Sequence, residues 1–115
     1  MITITTDKQV LTLINVFTVK PEHQQQLIDI LVEADQTIMK RLPGYISASI
    51  HRSLDRTKVT NYARWENAEA LEAMLHNPEA IPHLQALRQI AEKVEPCRYE
   101  VVYSAEVEED AALKI

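Results

Sequence analysis

Glycine is almost missing from this chain: Gly44 is the single one among 115 residues. A glycine-rich phosphate loop or a dinucleotide fingerprint needs several, because only glycine lets the backbone approach a phosphate closely. Most nucleotide-dependent enzymes are excluded on that ground. Cysteine is as scarce. Cys97 stands alone, so no intrachain disulfide forms, which suits a reducing compartment. No apolar run approaches the length that spans a bilayer. The opening residues MITITTDKQV lack the basic and apolar regions of a secretory leader. The expected location is the cytoplasm. Basic residues are outnumbered, twelve against seventeen acidic, for a net charge of −5, and they form no run. Nothing favours nucleic acid or a membrane surface as partner.

What is present has the balance of an ordinary globular domain, 46% apolar and 25% charged. The length fits one domain. Residues 10–105 carry burial patterns and form the expected domain. Residues 1–9 read as an arm and 106–115 as an acidic tail that ends apolar.

Hydrophobic periodicity orders the elements. Val10–Val19 alternates, with Leu11, Leu13, Asn15, Phe17 and Val19 on one face and mostly apolar residues on the other. Lys20-Pro21-Glu22 opens a helix whose apolar stripe runs from Leu27 to about residue 41. Pro43-Gly44 ends it. Tyr45–Arg52 and Val59–Trp65 are strands joined by a polar turn, as in a hairpin. Asn67 caps a further helix, stopped at His76-Asn77-Pro78. Ile81, Leu84, Leu87, Ala91 and Val94 continue in helical register until Pro96. Arg98–Ala105 is the last expected strand. The order strand, helix, strand, strand, helix, strand predicts an α+β, ferredoxin-like fold: a four-stranded antiparallel sheet with helices on one face. The other face would carry Ile14, Val16, Tyr62 and Val102. A half-apolar bare sheet predicts a homodimer, sheet on sheet.

Val59–Trp65, VTNYARW, carries the chemical interest. Alternation sets Val59, Asn61, Ala63 and Trp65 on the helix side. Asn15 and Trp65 join Asn61 there, with Tyr99 or Tyr103 from the last strand. Two carboxamides in so small a core either satisfy a hydrogen-bond network or line a pocket. Phe17 and Ile46 share the face. The four histidines lack metal-ligand spacing, so no metal site is expected; His83 is the candidate acid or base. No hydrolase set is present, and Cys97 reads as a small apolar filler.

Taken together, the strand ending in Val-Lys-Pro, the helix closed by Pro43-Gly44, the strand ending in Trp65-Glu66 and the Asn67-Ala-Glu-Ala-Leu helix start resemble the antibiotic biosynthesis monooxygenase family. The resemblance spans about Leu11 to Tyr103. It implies a dimeric α+β barrel. It implies an oxygenase that uses no cofactor and turns anthrones or quinols into quinones, with a small aromatic substrate and dioxygen as its partners. By position it makes Trp65 the family's cavity tryptophan, and Asn15 or Asn61 its asparagine. His83 falls a few residues later than the histidine of the quinol-type branch. Met74 stands about where the haem-degrading branch has a tryptophan, so haem degradation is not implied. The alternatives are a non-oxidative isomerase using His83 with Tyr99, and a dimeric binding protein without chemistry.

Overall fold

The computed structural model describes residues 10–107. The expected arm at 1–9 and most of the acidic tail lie outside the described residues. Strand β1, Leu11–Thr18, is rich in branched and aromatic residues, which suit a pleated surface. It pairs antiparallel with β3, Lys58–Trp65, on one side and with β4, Lys93–Tyr99, on the other. Strand β2, Tyr45–Arg52, extends the sheet beyond β3, giving the order β2-β3-β1-β4. Helices α1, Gln24–Thr37, α2, Ala68–Leu75, and α3, Ile81–Ile90, accompany the sheet. This is the expected ferredoxin-like arrangement.

Local chemistry sets the element ends. Pro21 opens a 3-10 turn before α1, and a second 3-10 turn, Met39–Arg41, follows it, so the regular helix is shorter than the periodicity. The Asn67 side chain accepts a hydrogen bond from the Ala70 amide at 2.8 Å and caps α2. Gly44 has φ +84°, a left-handed conformation that glycine adopts without strain. A Cβ there would lie 2.4 Å from the Ala70 Cβ. The turn after α1 therefore packs directly on the start of α2.

Two elements differ from expectation. β4 begins at Lys93 rather than Arg98, so Val94 and Pro96 are strand residues. Apolar residues at 87, 91 and 94 mimic helical spacing, and a proline normally ends a helix. But β4 is an edge strand, and there a proline's missing N–H costs no ladder bond. The second difference is a bulge in β2. Tyr45 pairs with Trp65 and Ser47 with Arg64, leaving Ile46 as the extra residue. Strict alternation fails there and Tyr45 turns inward.

The core is divided. One cluster joins Phe17, Val19, Leu27, Leu31, Val59 and Leu87. The other joins Ala63, Trp65, Leu71, Met74 and Ala80. A domain of this size normally builds one contiguous core. Between the two clusters, at the middle of the sheet, Asn15 stands directly opposite Asn61.

Candidate active site

A cavity of about 310 Å³ occupies the gap between the two clusters. Its floor is the helix-facing side of the sheet, and its walls include Leu31, Leu71, Met74 and Leu87 from the helices. Asn15, Asn61, Trp65, Phe17 and His83 all line it. The register explains the convergence. Across the sheet, one inward row reads Ile50, Asn61, Asn15, Pro96, flanked by Arg52, Val59, Phe17, Val94 and by Ala48, Ala63, Leu13, Arg98.

The polar atoms of this cavity lack partners. Asn15 Oδ1, Asn61 Oδ1, Trp65 Nε1 and His83 Nδ1 are each buried without a hydrogen bond. An orphaned buried polar group costs about 1–3 kcal/mol, so native proteins rarely keep one for structure alone. Gln24 provides an internal comparison. Its amide is also buried, but it donates to the Lys58 carbonyl at 2.9 Å and the Ser53 carbonyl at 3.3 Å, tying α1 to the β2–β3 turn. Where this protein buries an amide to hold its fold, that amide is satisfied. Those facing the cavity are not.

Three expected site residues lie elsewhere. Ile46, at the bulge, is 41% exposed and does not line the cavity. Tyr99 pairs with Thr12 on the outer face of the sheet, because β4 turns the even positions Val94, Pro96 and Arg98 toward the cavity and Tyr99 has the opposite parity. Tyr103 lies beyond β4 and is 78% exposed. The tyrosine that does line the cavity is Tyr45. Its ring meets Trp65 edge-on, with centroids 5.4 Å apart and planes at 82°. Its hydroxyl donates to Asp35 Oδ1 on α1. Burial, then this hydrogen bond and the carboxylate's charge, hold the Tyr45 phenol well above its usual range, so it stays protonated. Tyr45 thus clamps the indole while its own proton is committed to Asp35. Alternation concealed this residue; only its place directly after Pro43-Gly44 marked a possible irregularity.

Arg98 also escaped expectation. It lines the rim, and its Nη2 meets Glu72 Oε1 of α2 at 2.6 Å. The Arg98 hydrogen bond and charge lower the Glu72 pKa. Being exposed, the pair adds little stability, but it links β4 to α2 beside the opening. Among the described residues, no three His, Cys, Asp or Glu side chains group as metal ligands.

The relatives agree with this architecture. The chain is 36% identical over 104 residues to tetracenomycin-F1 monooxygenase from Streptomyces glaucescens, covering 90% of this chain and 92% of that one. The fold is shared with a monooxygenase from the ActVA-Orf6 gene of Streptomyces coelicolor, solved with nanaomycin D (TM-score 0.79, 23% identity, 88% of this chain and 95% of that one). It is shared too with SnoaB, a cofactor-independent oxygenase from Streptomyces nogalater (TM-score 0.70, 22% identity, 84% and 96%). The family model of the antibiotic biosynthesis monooxygenases matches residues 10–94. The protein belongs to the antibiotic biosynthesis monooxygenase family.

Proposed function

We propose that the protein is a monooxygenase that needs no cofactor and acts with dioxygen on a phenolic, anthrone or quinol-type aromatic. The single observation that carries this reading is the set of four unpartnered polar atoms, on Asn15, Asn61, Trp65 and His83, around one largely apolar cavity. The relation to a tetracenomycin-F1 monooxygenase supports the activity class, and the fold shared with a cofactor-independent oxygenase supports the absence of a cofactor.

The chemistry suits such a cavity. Triplet dioxygen reacts slowly with closed-shell molecules, but an electron-rich enolate or phenolate supplies the first electron itself. An anthrone loses one proton from its methylene to give the enolate. One electron passes to dioxygen, and superoxide and carbon radical combine to form a C–O bond. Protonation gives a hydroperoxide. Loss of the remaining C–H proton with cleavage of the O–O bond leaves the quinone carbonyl and one water. One dioxygen is consumed, one oxygen atom enters the product and the other leaves as water.

The residues serve the first step. Carboxamide and indole N–H groups donate without carrying charge, so they stabilise an oxyanion as it develops without binding every anion. Asn15 and Asn61 hold the substrate oxygen, and Trp65, held by Tyr45, positions the ring and donates. His83 Nδ1 is unpaired in the same cavity, available for the proton. The isomerase reading needed Tyr99 beside His83, and Tyr99 lies on the other side of the sheet. The outer sheet face, with Ile14, Val16 and Tyr62 half-buried, is read as the homodimer surface.

The test is oxygen uptake with an anthrone in chelator-treated protein. Wild type consumes oxygen, and Asn15→Ala and Trp65→Phe lose about a hundredfold to a thousandfold, the range for removing one oxyanion donor. Full activity in both variants refutes the assignment.

A further inference from the structure

The cavity is charged on one side, and the oxygenase reading leaves that charge unused. Three side chains that carry a full charge line it among the described residues: Asp35, Arg88 and Arg98. Asp35, on α1, accepts the Tyr45 hydroxyl from β2. Both guanidiniums come from the opposite wall, Arg88 on α3 and Arg98 on the edge strand β4. Arg98 is paired with Glu72. Arg88 has neither a hydrogen bond nor an ion pair among the described residues.

Arg88 stands where a core residue is the usual choice. His83, Leu84, Leu87 and Arg88 share one face of α3 at helical spacing, and all four line the cavity. A cation in the last turn complements the helix dipole from any side of the helix. That role does not account for a cation on the stripe that faces the cavity. Leu87, its neighbour, is buried, whereas Arg88 is exposed. Arg88 therefore sits at the mouth, between the cavity and solvent.

A free guanidinium there selects an anion. Its planar fork matches a carboxylate, with two parallel N–H···O bonds. The chain as a whole carries −5, so an anion is drawn to this local charge and not to the surface at large. The mouth is also where an anion costs least, because full burial requires a desolvation that pairing barely offsets. A bound aromatic leaves its acid at the mouth while its rings lie in the apolar interior. His83 and Arg88 are about 7.5 Å apart along the helix axis, so the acid is held away from the atoms near His83.

We infer that the substrate is an aromatic carboxylic acid, and that Arg88 binds its carboxylate at the mouth of the cavity and so fixes which end of the ring system enters. The inference rests on the proposed function for the ring chemistry. It makes Arg88 a residue of specificity, not of turnover.

The test compares rhein anthrone, an anthrone carboxylic acid, with its methyl ester in oxygen uptake, and the corresponding quinones in binding. Binding is read by quenching of Trp65, the single tryptophan of the chain, which lines the cavity. In wild type the acid quinone binds about tenfold to a hundredfold tighter than the ester, the range for a hydrogen bond to a charged group. KM follows the same order, while kcat is alike for both. Arg88→Met removes the preference by weakening the acid and leaves the ester as it was. Arg88→Lys keeps the charge without the fork, and its preference falls between the two. Equal binding of acid and ester by wild type overturns the inference, as does a preference that survives Arg88→Met. The two readouts separate it from the oxygenase reading. Oxygen uptake with equal KM for acid and ester removes the role of Arg88 and leaves that reading standing. An acid preference in binding, without oxygen uptake from either anthrone, removes that reading and keeps the acid site.

Discussion

Asn61→Leu separates a catalytic amide from a structural one. Asn61 sits at the middle of β3, opposite Asn15, with its Oδ1 buried and unpaired. Removing an orphaned polar group recovers about 1–3 kcal/mol of desolvation cost. Leucine has nearly the same shape, and Ile50 and Phe17 on the cavity floor offer it apolar neighbours. Waters held by the cavity's few polar atoms reduce the gain. A net stabilisation of about 1–2 kcal/mol follows. For a domain this small that is a rise in Tm of about 4–10 °C. Oxygen uptake falls at least tenfold at the same time, because the oxyanion loses a donor. Thermal unfolding followed by circular dichroism and an oxygen electrode check the two halves. Destabilisation by more than about 1 kcal/mol would show that the amide holds the sheet together, and the reasoning would fail. Asn61→Leu with full activity would refute it equally.

Three further outcomes test the frame around the cavity. Tyr45 is held above the usual tyrosine range by burial and by Asp35, so absorbance at 295 nm should show one phenol ionising after the others. Its neutral form is the one the fold favours, so this contribution to stability is complete below about pH 10 and fades only at higher pH; Tyr45→Phe removes the late phase. Asp55, in the β2–β3 turn, accepts hydrogen bonds from the Thr57 hydroxyl and amide and from the Ser53 hydroxyl, which lower its pKa to about 2. That contribution is present above about pH 4 and is lost as pH falls toward 2; Asp55→Asn should flatten this part of an acid-denaturation curve. Gly44→Ala places a Cβ against Ala70 at a positive φ and should cost about 2–4 kcal/mol in urea unfolding.

Much of this architecture is written in alternation. β3 buries Val59, Ala63 and Trp65 and turns Asn61 toward the cavity, as period-two reading requires. The Asn67 cap and the Pro43-Gly44 break follow from one residue's chemistry each. Legibility fails where a local rule has two outcomes. Pro96 ends a helix or rides an edge strand, and only the sheet order decides. Without Val94 and Pro96 recognised as strand residues, nothing fixed which parity of β4 faces inward, and Tyr99 and Tyr103 were expected in the site. The bulge at Ile46 exchanged it for Tyr45 by inserting one residue into β2, which period-two alternation does not register. The cavity itself is a gap between two clusters, enclosed by residues of α1, α2 and α3 over the middle of the sheet. No single residue encodes that. What the sequence does carry is its sign: two amides where a small core has no use for them.

The most direct measurement is a crystal structure with a bound quinone product. The account requires the ring between the two apolar clusters, with a quinone oxygen within about 3.2 Å of at least one of the Asn15 amide, the Asn61 amide and the Trp65 Nε1. A quinone bound outside the cavity, or one inside it with all three groups turned to other partners, would contradict it.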